Sequence, residues 1–347
     1  MRRSGLTGDD VTVHTTLMGG GFGRRSESDF SVQAARLAAA LPDTPIKMTW
    51  TREEDMQQDF YRPAAAARFR GIVRDGRAQL LDGAIAAPSV SHQSMMRMTG
   101  NAAPGPDRAH VEAAADQPYA IENYRITGHL TDIDVPIGFW RSVASSFNGF
   151  FFDTFIDEMA HAAQTDPLEF RLDLARNEHE PSALTIEKVK QMSGWTGQTP
   201  DGIGRGIGFS HTFGTAVAVV VEVQEQDGQI HINKVWMACD VGTALDPAII
   251  EAQMISGAIY GMSAAMMGEI SFEDGQVQQG NFPDYDAIRM HTVPAFEVAI
   301  LENAPHLGGV GEPGTPPSMP ALGNALFDLT GVRARNLPFI KTYDLAT

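Results

Sequence analysis

The stretch Met18-Gly-Gly-Gly-Phe-Gly-Arg-Arg25 does most to decide how this chain folds and what it can hold. Three consecutive glycines remove every Cβ, so a ligand can approach the backbone closely and successive N–H groups can point at one anion. Taken alone, the loop favours a purely structural interpretation, in which it is a tight turn between a strand and a helix and binds no ligand. It is not a Walker loop, because no Gly-Lys-Ser/Thr follows, and it lacks the G-x-G-x-x-G spacing of a dinucleotide fingerprint.

On both sides of this loop the pattern alternates between strand and helix. Val11–Met18 is rich in β-branched residues and predicts a strand, and Ile46–Trp50 predicts another. Between them, residues 29–41 carry apolar side chains at helical spacing, and Pro42 ends the predicted helix. Thr51-Arg-Glu-Glu54 has the capping-box pattern of a helix start.

The rest of the chain mixes tight hairpins with helices. Three Asp-Gly pairs predict hairpin turns, because a primed turn needs the positive φ that Asp and Gly tolerate. These pairs are Asp75-Gly76, Asp227-Gly228 and Asp274-Gly275. Asp166-Pro167-Leu-Glu169 predicts a helix start, with an acceptor cap, proline at the first position and glutamate at the third. Further helices are predicted over residues 146–163, 247–266 and 321–329.

Hairpins and helices without regular strand–helix–strand units indicate an α+β fold rather than a doubly wound sheet. The 347 residues are enough for two domains, since a single core seldom grows past roughly 250–300 residues. The glycine-rich stretch 198–208 is the predicted linker. We therefore expect two mixed α/β subdomains, residues 1–180 and residues 181–347.

The charge and the cysteine content exclude several classes of function. The 26 basic and 43 acidic residues give a formal net charge of −17, which repels phosphate backbones, so nucleic acid is not an expected partner. Cys239 is the only cysteine, and one thiol cannot hold an iron–sulfur cluster or an internal disulfide. Electrons from any redox chemistry would therefore leave through another polypeptide.

Two further segments could carry chemistry. Pro136-Ile-Gly-Phe-Trp-Arg-Ser-Val-Ala-Ser-Ser146 sets two aromatic rings and an arginine before a helix start, where they could wall a flat substrate. Gly308-Gly-Val-Gly-Glu-Pro-Gly314 holds one carboxylate among glycines and a proline, and a carboxylate on a rigid loop can serve as a base. The alternatives are core aromatic residues in the first segment and a turn with an exposed glutamate in the second.

A third segment begins with Asp246-Pro247, which predicts the cap of a helix. That helix carries the pattern Gln253-x-x-x-Gly257-x-x-x-Gly261. The two glycines lie on one face, which could press against another helix or against a cofactor. Helix packing is the commoner explanation.

The order of these motifs is more specific than any one of them. The glycine loop, the Phe-Trp-Arg loop, the Asp-Pro-Leu-Glu-Phe-Arg helix, the Asp-Val-Gly-x-x-x-Asp-Pro segment, the Gln-x-x-x-Gly-x-x-x-Gly helix and the Gly-Val-Gly-Glu-Pro loop follow one another along nearly the whole chain. This order resembles the C-terminal half of the molybdopterin-binding large subunit of the xanthine dehydrogenase and aldehyde oxidase family. Within that family it is most similar to the branch of the isoquinoline 1-oxidoreductase β-subunit and the membrane-associated aldehyde dehydrogenases.

The resemblance implies a role for each motif. Glu312 matches the catalytic base, and the molybdenum is held through the pterin rather than by a side chain of this chain. The residues implied in cofactor binding are Gly20, Gly21, Phe22, Gly23, Arg141, Ser142, Gln253, Gly257, Ser263 and Gly311. Those implied in the substrate pocket are Ser26, Phe139 and Trp140. Ser26 stands where xanthine-specific members have a substrate-binding glutamate, which argues against purine oxidation.

The same resemblance implies the domains, reaction and partners. Residues 1–180 would be the C-terminal part of the first molybdopterin-binding domain and residues 181–347 the second. The enzyme would oxidise an sp² carbon of an N-heterocycle or an aldehyde, with water as the oxygen source. It would use molybdopterin with molybdenum, in the cytosine dinucleotide form of most bacterial members. The implied partners are a chain that supplies the missing N-terminal half, a small subunit with the iron–sulfur clusters, and a cytochrome c as electron acceptor.

The expected location rests on the family alone. No stretch approaches the ~20 apolar residues of a membrane-spanning helix. The first ten residues hold two arginines with no apolar run behind them, unlike a signal peptide. Related large subunits are often exported as folded proteins, so the resemblance favours a periplasmic or membrane-associated location over the cytoplasm.

Two other interpretations stay open at this point. The chain could be a truncated or split subunit that acts only as an assembly partner, without bound molybdenum. It could also be an oxidoreductase that holds a nicotinamide or flavin nucleotide with residues 19–23, although the glycine spacing argues against this.

Overall fold

The computed structural model describes residues 7–101 and 105–347; residues 1–6, which include the two N-terminal arginines, lie outside the described residues. The described helices are α1 (Asp29–Ala40), α2 (Arg52–Gln57), α3 (Val90–Thr99), α4 (Ser145–Ala162), α5 (Pro167–Ala175), α6 (Glu180–Ser193), α7 (Pro247–Met266) and α8 (Ser318–Thr330). The strands are β1 (Ala66–Arg74), β2 (Arg77–Ala87), β3 (Asn123–Leu130), β4 (Ile203–Thr212), β5 (Thr215–Gln226), β6 (Gln229–Asp240), β7 (Phe272–Glu273), β8 (Gln276–Val277) and β9 (Ala295–Leu301). This mixture of helices with hairpin-built sheets confirms the predicted α+β class.

The first sheet orders its strands β1-β2-β3. β1 and β2 form an antiparallel hairpin, whereas β2 and β3 run parallel. The φ angles of 50° at Asp75 and 73° at Gly76 close that hairpin as predicted. Asp227-Gly228 and Asp274-Gly275 have the same signs of φ and close the β5–β6 and β7–β8 hairpins.

The second sheet orders its strands β4-β5-β6-β9, and β9 runs parallel to β6. Helix α8 lies across β4 so closely that a Cβ on Gly204, Gly206 or Gly208 would come within 2.4 Å of backbone atoms in residues 317–325. The linker prediction for residues 198–208 is therefore wrong from Ile203 onward. The glycines sit in a strand because only glycine lets the helix backbone approach so closely.

The predicted strands Val11–Met18 and Ile46–Trp50 are also wrong. Both segments lie outside the helices and strands, and neither pairs with a strand of the part of the chain that the structure describes. Val13 is 79% and Leu17 103% exposed. Strand-forming residues need a neighbouring strand to satisfy their backbone N–H and C=O groups, and the described residues supply none.

The predicted helices agree closely with the observed ones. Helix α7 has the predicted bounds, α4 begins and ends one residue earlier than predicted, and α8 begins at Ser318. Thr51 and Glu54 form the predicted capping box of α2. Asp166 caps α5 by accepting hydrogen bonds from the amides of Leu168 and Glu169.

Helix α4 lies between two hydrophobic cores. Phe152 and Ile156 belong to the core that the first sheet forms with α5, α6 and part of the second sheet, whereas Phe150 belongs to the core that α7 and α8 form with the second sheet. The start of α4, the first turns of α7 and the loop before α8 lie near one another and position the site described below. No helix within residues 7–101 and 105–347 is both long and apolar enough to cross a membrane.

Candidate active site

Three loops that are distant in sequence converge on one cavity of about 650 Å³. They are the glycine loop (residues 18–26), the Phe-Trp-Arg loop (residues 139–143) and the Glu312 loop (residues 311–312), and helix α7 closes the remaining side. The lining residues are Met18, Gly19, Gly20, Gly21, Phe22, Gly23, Ser26, Phe139, Trp140, Arg141, Val143, Gln253, Ser256, Gly311 and Glu312. The cavity has the size of a small-molecule or cofactor site.

The glycine loop has backbone conformations that residues other than glycine adopt with difficulty. The φ angles are 132° at Gly20, 49° at Phe22 and 95° at Gly23. A Cβ on Gly23 would lie 2.3 Å from the carbonyl oxygen of Phe139, so glycine allows the first two loops to touch. The amides of residues 19–23 donate to no acceptor in the described parts of the chain. They are therefore available to a ligand in the cavity.

The Phe-Trp-Arg loop has strained backbone at its C-terminal end, and Arg97 anchors the residues just before it. Ser142 and Val143 have φ angles of 71° and 45°, and such values in residues other than glycine are typical of functional sites. Arg97 donates to the carbonyl of Ile137 at 2.8 Å and forms an ion pair with the buried Glu27. Arg97 thus links Ile137, just before the Phe-Trp-Arg loop, to Glu27, which directly follows the glycine loop.

Arg141 joins the Phe-Trp-Arg loop to both other walls of the cavity. Its guanidinium donates to the carbonyl of Gly311 at 2.8 Å, to Ser256 Oγ at 2.9 Å, and to both the carbonyl and Oε1 of Gln253 at 3.2 Å. Only 3% of Arg141 is exposed. Burial lowers its pKa, and the nearby charge of Glu312 opposes that effect.

Glu312 is held by two reciprocal contacts with Ser142. The amide of Ser142 donates to Glu312 Oε1 at 2.8 Å, and Ser142 Oγ donates to the Glu312 carbonyl at 2.8 Å. Ser142 is fully buried, whereas Glu312 is half-buried and lines the cavity. Oε2 of Glu312 accepts from no donor in residues 7–101 and 105–347, so it is free to take a proton from a bound molecule.

An aromatic wall separates this cavity from a second, mainly apolar one of about 650 Å³. Phe22 and Trp140 line both cavities, and Tyr260 lines the second. The ring of Tyr260 stacks on Phe22 at a centroid distance of 5.4 Å and lies 4.6 Å from Trp140. Burial raises the pKa of Tyr260 to about 12, so the hydroxyl stays protonated at neutral pH.

The structure brings together most, but not all, of the residues singled out from the sequence. Ser142 lies behind the cavity, where it fixes Glu312. Ser263 lines the second cavity, and its Oγ accepts from the amide of Ile288. Gly257 does not reach either cavity, because it is buried against Gly314 and a Cβ there would lie 3.1 Å from that backbone. The position of Gly257 favours the alternative of packing, here against the loop before α8.

Sequence reasoning missed several residues of this region. Ser256 and Tyr260 lie three and seven positions after Gln253, so helical spacing alone could have placed them on the same face of α7. Glu112 carried no recognisable signal. Burial, assisted by the charges of Asp116, Asp107 and Glu312, raises its pKa to about 7.

Comparison with known families gives a consistent result. Profiles of the molybdopterin cofactor-binding domain match residues 2–174 and residues 156–294. Together they account for most of the chain. The chain belongs to the molybdopterin-binding large-subunit family. The resemblance inferred from the order of the motifs is thereby confirmed.

Curated relatives come from several bacteria. The chain is 31% identical to the β-subunit of the isoquinoline 1-oxidoreductase of Brevundimonas diminuta, over 96% of this chain and 43% of that protein. It is 28% identical to a membrane-bound aldehyde dehydrogenase of Gluconacetobacter polyoxogenes, over 94% and 46% respectively. It is 27% identical to a nicotinate dehydrogenase subunit from Pseudomonas putida, over 96% and 30% respectively. The chain thus spans less than half the length of these relatives.

Solved structures share the fold. The quinoline 2-oxidoreductase of Pseudomonas putida 86 superimposes with a TM-score of 0.76 at 13% identity, over 92% of this chain and 66% of that one. The aldehyde oxidoreductase of Desulfovibrio gigas superimposes with a TM-score of 0.73 at 13% identity, over 92% and 53% respectively. At this level of identity the comparison supports the fold alone.

The cavity fits the cofactor that gives the family its name. The backbone amides of residues 19–23, which have no acceptor among the described residues, suit an anionic or oxygen-rich group. Gly19 and Gly311 have open space where a Cβ would stand, so a flat group can lie against the backbone at either position. Gln253 and Ser256 add polar side chains from α7.

Proposed function

We propose that this chain carries the catalytic base and part of the cofactor site of a molybdenum hydroxylase. The enzyme oxidises an sp² carbon of an N-heterocycle or an aldehyde and takes the oxygen from water. One observation carries the proposal: Glu312 and the glycine loop line the same cavity, and neither Glu312 Oε2 nor the amides of residues 19–23 have a hydrogen-bond partner among the described residues. A molybdenum–pterin group supplies two-electron redox chemistry when bound.

Glu312 acts as the general base in this proposal. Its Oε2 accepts the proton that is released as water adds its oxygen to the substrate carbon. The amide of Ser142 holds Oε1 at 2.8 Å, so the carboxylate needs no reorientation before the proton transfer. Ser142 holds this amide in a backbone conformation with a φ of 71°, which is typical of functional sites.

The cofactor would be held mainly by backbone groups. The amides of the glycine loop would donate to the group that lies nearest Glu312. Gln253 and Ser256 would bind it from the side of α7, where Arg141 orients both side chains. Ser263 and the second cavity would accommodate the nucleotide portion of a cytosine dinucleotide form. Release of the nucleotide by acid hydrolysis, followed by chromatography against cytidine and guanosine standards, tests that form.

Glu312→Gln in the assembled enzyme tests the role of the base. The substitution keeps the hydrogen bond from Ser142 but removes the proton acceptor, so we expect kcat to fall by about 10²–10⁴-fold. Glu273→Gln, at an exposed position on the β7–β8 hairpin, is the matched control and should leave kcat unchanged. Molybdenum content, measured by metal analysis, should be the same in both variants. Full activity of Glu312→Gln at normal molybdenum content would refute the proposal.

The competing function is that of an assembly partner without bound molybdenum. That function predicts a chain that docks its partners but contains no molybdenum after co-expression with them. Stoichiometric metal in the purified complex would exclude it. Recovery of a bound nicotinamide or flavin nucleotide in place of the pterin would instead favour an oxidoreductase that holds such a nucleotide with residues 19–23.

The proposed partners follow from what the described chain lacks. Its single thiol, Cys239, is buried in β6, and burial raises its pKa to about 12. The electrons are therefore proposed to leave through a small iron–sulfur subunit and on to an acceptor such as a cytochrome c. A further polypeptide segment is proposed to supply the remaining length of the relatives, either as a separate chain or as part of the same gene product. Co-purification from cells that express the neighbouring genes tests all three partners.

The location and the domain boundary are proposed on the family alone. We propose a periplasmic or membrane-associated enzyme, in line with the name of the Gluconacetobacter relative. Fractionation of cells, with the substrate oxidation assayed in each fraction, tests this. We also propose that the two molybdopterin-binding domains divide near residue 180, which limited proteolysis of the purified chain would examine.

A further inference from the structure

A third cavity of about 630 Å³ lies behind the Phe-Trp-Arg loop and shares no lining residue with the first two. One wall is the segment 62–67, which leads into β1 and includes its first two residues, and the opposite wall is the segment 333–337 after α8. The floor between them is a cluster of aromatic side chains from β1 and α4. These are Phe69, Phe147, Phe150, Phe151 and Phe155. The cavity therefore offers a ligand an aromatic floor, which is suited to an apolar body.

Three arginines surround this floor, and two of them are already neutralised. Arg335 forms a bidentate pair with Glu158 at 2.7 and 2.8 Å. Arg333 donates to the buried Asp157 at 2.7 Å. Arg62 forms no ion pair with any residue in 7–101 or 105–347. Among the described residues, it is the arginine of this cavity whose charge has no counterion.

The contacts of Arg62 are all with uncharged groups. Its Nε donates to Ser146 Oγ at 3.2 Å, one Nη lies 3.9 Å from the sulfur of Met319, and its guanidinium carbon lies 4.5 Å from the ring centroid of Trp140. Burial lowers the pKa of Arg62 to about 10, so it is charged at neutral pH. A half-buried cation without a counterion is costly, and an anion that binds beside it recovers part of that cost.

We propose that this cavity binds an amphipathic carboxylate, a molecule with one carboxylate and an aromatic or alkyl body. The carboxylate pairs with Arg62, which presents planar donors that match two carboxylate oxygens. The body lies on the phenylalanine floor. The chain carries a net charge of −17, but Arg62, which has no counterion among the described residues, makes this cavity locally positive. The cavity therefore favours an anionic ligand.

Arg62 also connects this cavity to the candidate active site. Its guanidinium stacks on Trp140, which lines the cavity of Glu312, and Ser146 belongs to the first turn of α4 directly after the Phe-Trp-Arg loop. A carboxylate that draws the guanidinium toward itself changes the surroundings of the Trp140 ring. Binding is therefore expected to change the fluorescence of Trp140.

Calorimetric titration of the full chain with 4-phenylbutyrate tests the proposal without any need for enzymatic activity. We expect saturable binding of one molecule. Arg62→Gln and the neutral probe 4-phenylbutyramide should each raise Kd by about tenfold or more, because each removes a charge-assisted pair. Arg125→Gln, the same substitution at an exposed arginine on β3, is the matched control and should leave Kd unchanged. Equal affinity for the carboxylate and the amide would overturn the proposal.

Two further measurements keep the test decisive if Arg62→Gln fails to fold. Ala65→Leu narrows the cavity at the wall that carries Arg62 but leaves Arg62 in place, and it should also raise Kd by about tenfold. The change in fluorescence on binding should disappear in Trp140→Phe. If a polypeptide partner fills the cavity in the assembled enzyme, it will abolish probe binding in the complex, and the cavity would then be a protein interface rather than a ligand site.

Discussion

Ser142 and Glu312 bind each other twice: the Ser142 amide donates to Glu312 Oε1, and the Ser142 hydroxyl donates to the Glu312 carbonyl, both at 2.8 Å. The two residues are 170 positions apart in sequence. The first contact aims the side chain, and the second fixes the backbone that carries it. A carboxylate on a glycine-rich loop thereby acquires a defined position although its own loop is intrinsically flexible.

The hydroxyl contact can be removed without the amide contact. Ser142→Ala should lower the free energy of unfolding by about 1 kcal/mol, the usual value of one hydrogen bond. We expect kcat to fall by about tenfold, because small displacements of a catalytic group are costly, while KM changes less than about twofold. Steady-state kinetics of the assembled enzyme, together with urea unfolding, measures both effects.

The matched control for Ser142→Ala is Ser193→Ala. Ser193 is also buried, and its hydroxyl donates to the carbonyl of Val189 at 2.8 Å within α6, away from the cavity. Both variants should lose similar stability, but only Ser142→Ala should lose kcat. A fall in kcat of the same size in both variants would mean that Ser142 acts through stability alone.

The glycine loop allows a second comparison of matched variants. Gly23→Ala places a Cβ 2.3 Å from the Phe139 carbonyl oxygen at a φ of 95°, which should cost about 2 kcal/mol or more. Gly19→Ala meets nothing within 4 Å, and the purified chain should lose less than about 0.5 kcal/mol. Urea unfolding of the chain without cofactor measures both values. Similar losses at the two positions would show that the two loops do not touch in solution.

The same pair of variants separates folding from cofactor binding. Gly19→Ala keeps the stability of the chain but places a methyl group where the proposed cofactor lies against the backbone. We therefore expect the assembled Gly19→Ala enzyme to contain less molybdenum than the wild type. Metal analysis at equal protein concentration measures this, and an unchanged content would place the cofactor away from Gly19.

Much of the candidate site could be predicted from the sequence, because its loops contain clusters of glycines that can be recognised without a structure. The glycine loop and the Glu312 loop lack side-chain cover, and their order along the chain is characteristic. Arg141 could be named, but its partners could not, because its contacts with Gly311 and Ser256 depend on how α7 lies against the loop. Gly257 shows the opposite case. A glycine on a helix face indicates that another group packs closely against the helix, but it does not indicate whether that group is a cofactor or, as here, the backbone of Gly314.

The fold was predictable where local rules decide it. Asp-Gly turns, the Asp166 cap and the bounds of α7 follow from local chemistry and needed no tertiary information. Residues 203–208 were misassigned, because glycine in a strand and glycine in a linker look alike until the helix that packs on the strand is known. The strands predicted at residues 11–18 and 46–50 failed for a different reason. A strand depends on a partner, and the described chain contains none for them.

Glu112 should make the stability of the chain depend on pH. Its pKa is raised from the ordinary value of 4.5 to about 7, mainly by burial. Below pH 4.5 the carboxyl is protonated in both the folded and the unfolded state. Between these two values only the folded state keeps the proton. The contribution of Glu112 to stability therefore falls as the pH rises through about 7.

Glu112→Gln mimics the protonated form and removes this dependence. We expect the variant to be more stable than the wild type by about 1–2 kcal/mol at about pH 8, after allowance for solvent screening of a half-buried group. At about pH 4 the two proteins should be equally stable. Glu122→Gln, at an exposed position nearby, should show no difference at either pH. Urea unfolding at the two pH values measures this, and a destabilised Glu112→Gln at the higher pH would contradict the prediction.

If a further polypeptide segment supplies the rest of the relatives' length, as proposed above, we expect it to bind the exposed segment of residues 11–18. Its backbone has no strand partner among the described residues, and Val13 and Leu17 are 79% and 103% exposed. Such an edge is a template for strand addition. Val13→Asp combined with Leu17→Asp should leave the stability of the chain within about 0.5 kcal/mol, because both side chains are already in water. The affinity for the partner should fall by about tenfold or more, because apolar contact area is lost.

Sedimentation velocity with the co-expressed partner measures this affinity. Val332→Asp, which places the same charge at an apolar position that is 52% exposed after α8, controls for the effect of a new carboxylate. A second variant, Thr15→Pro, removes a backbone donor from the segment without adding charge, and it should weaken the complex as well if the partner adds a strand there. If Thr15→Pro binds normally while the charged variant does not, the partner packs on the side chains of the segment without pairing with its backbone.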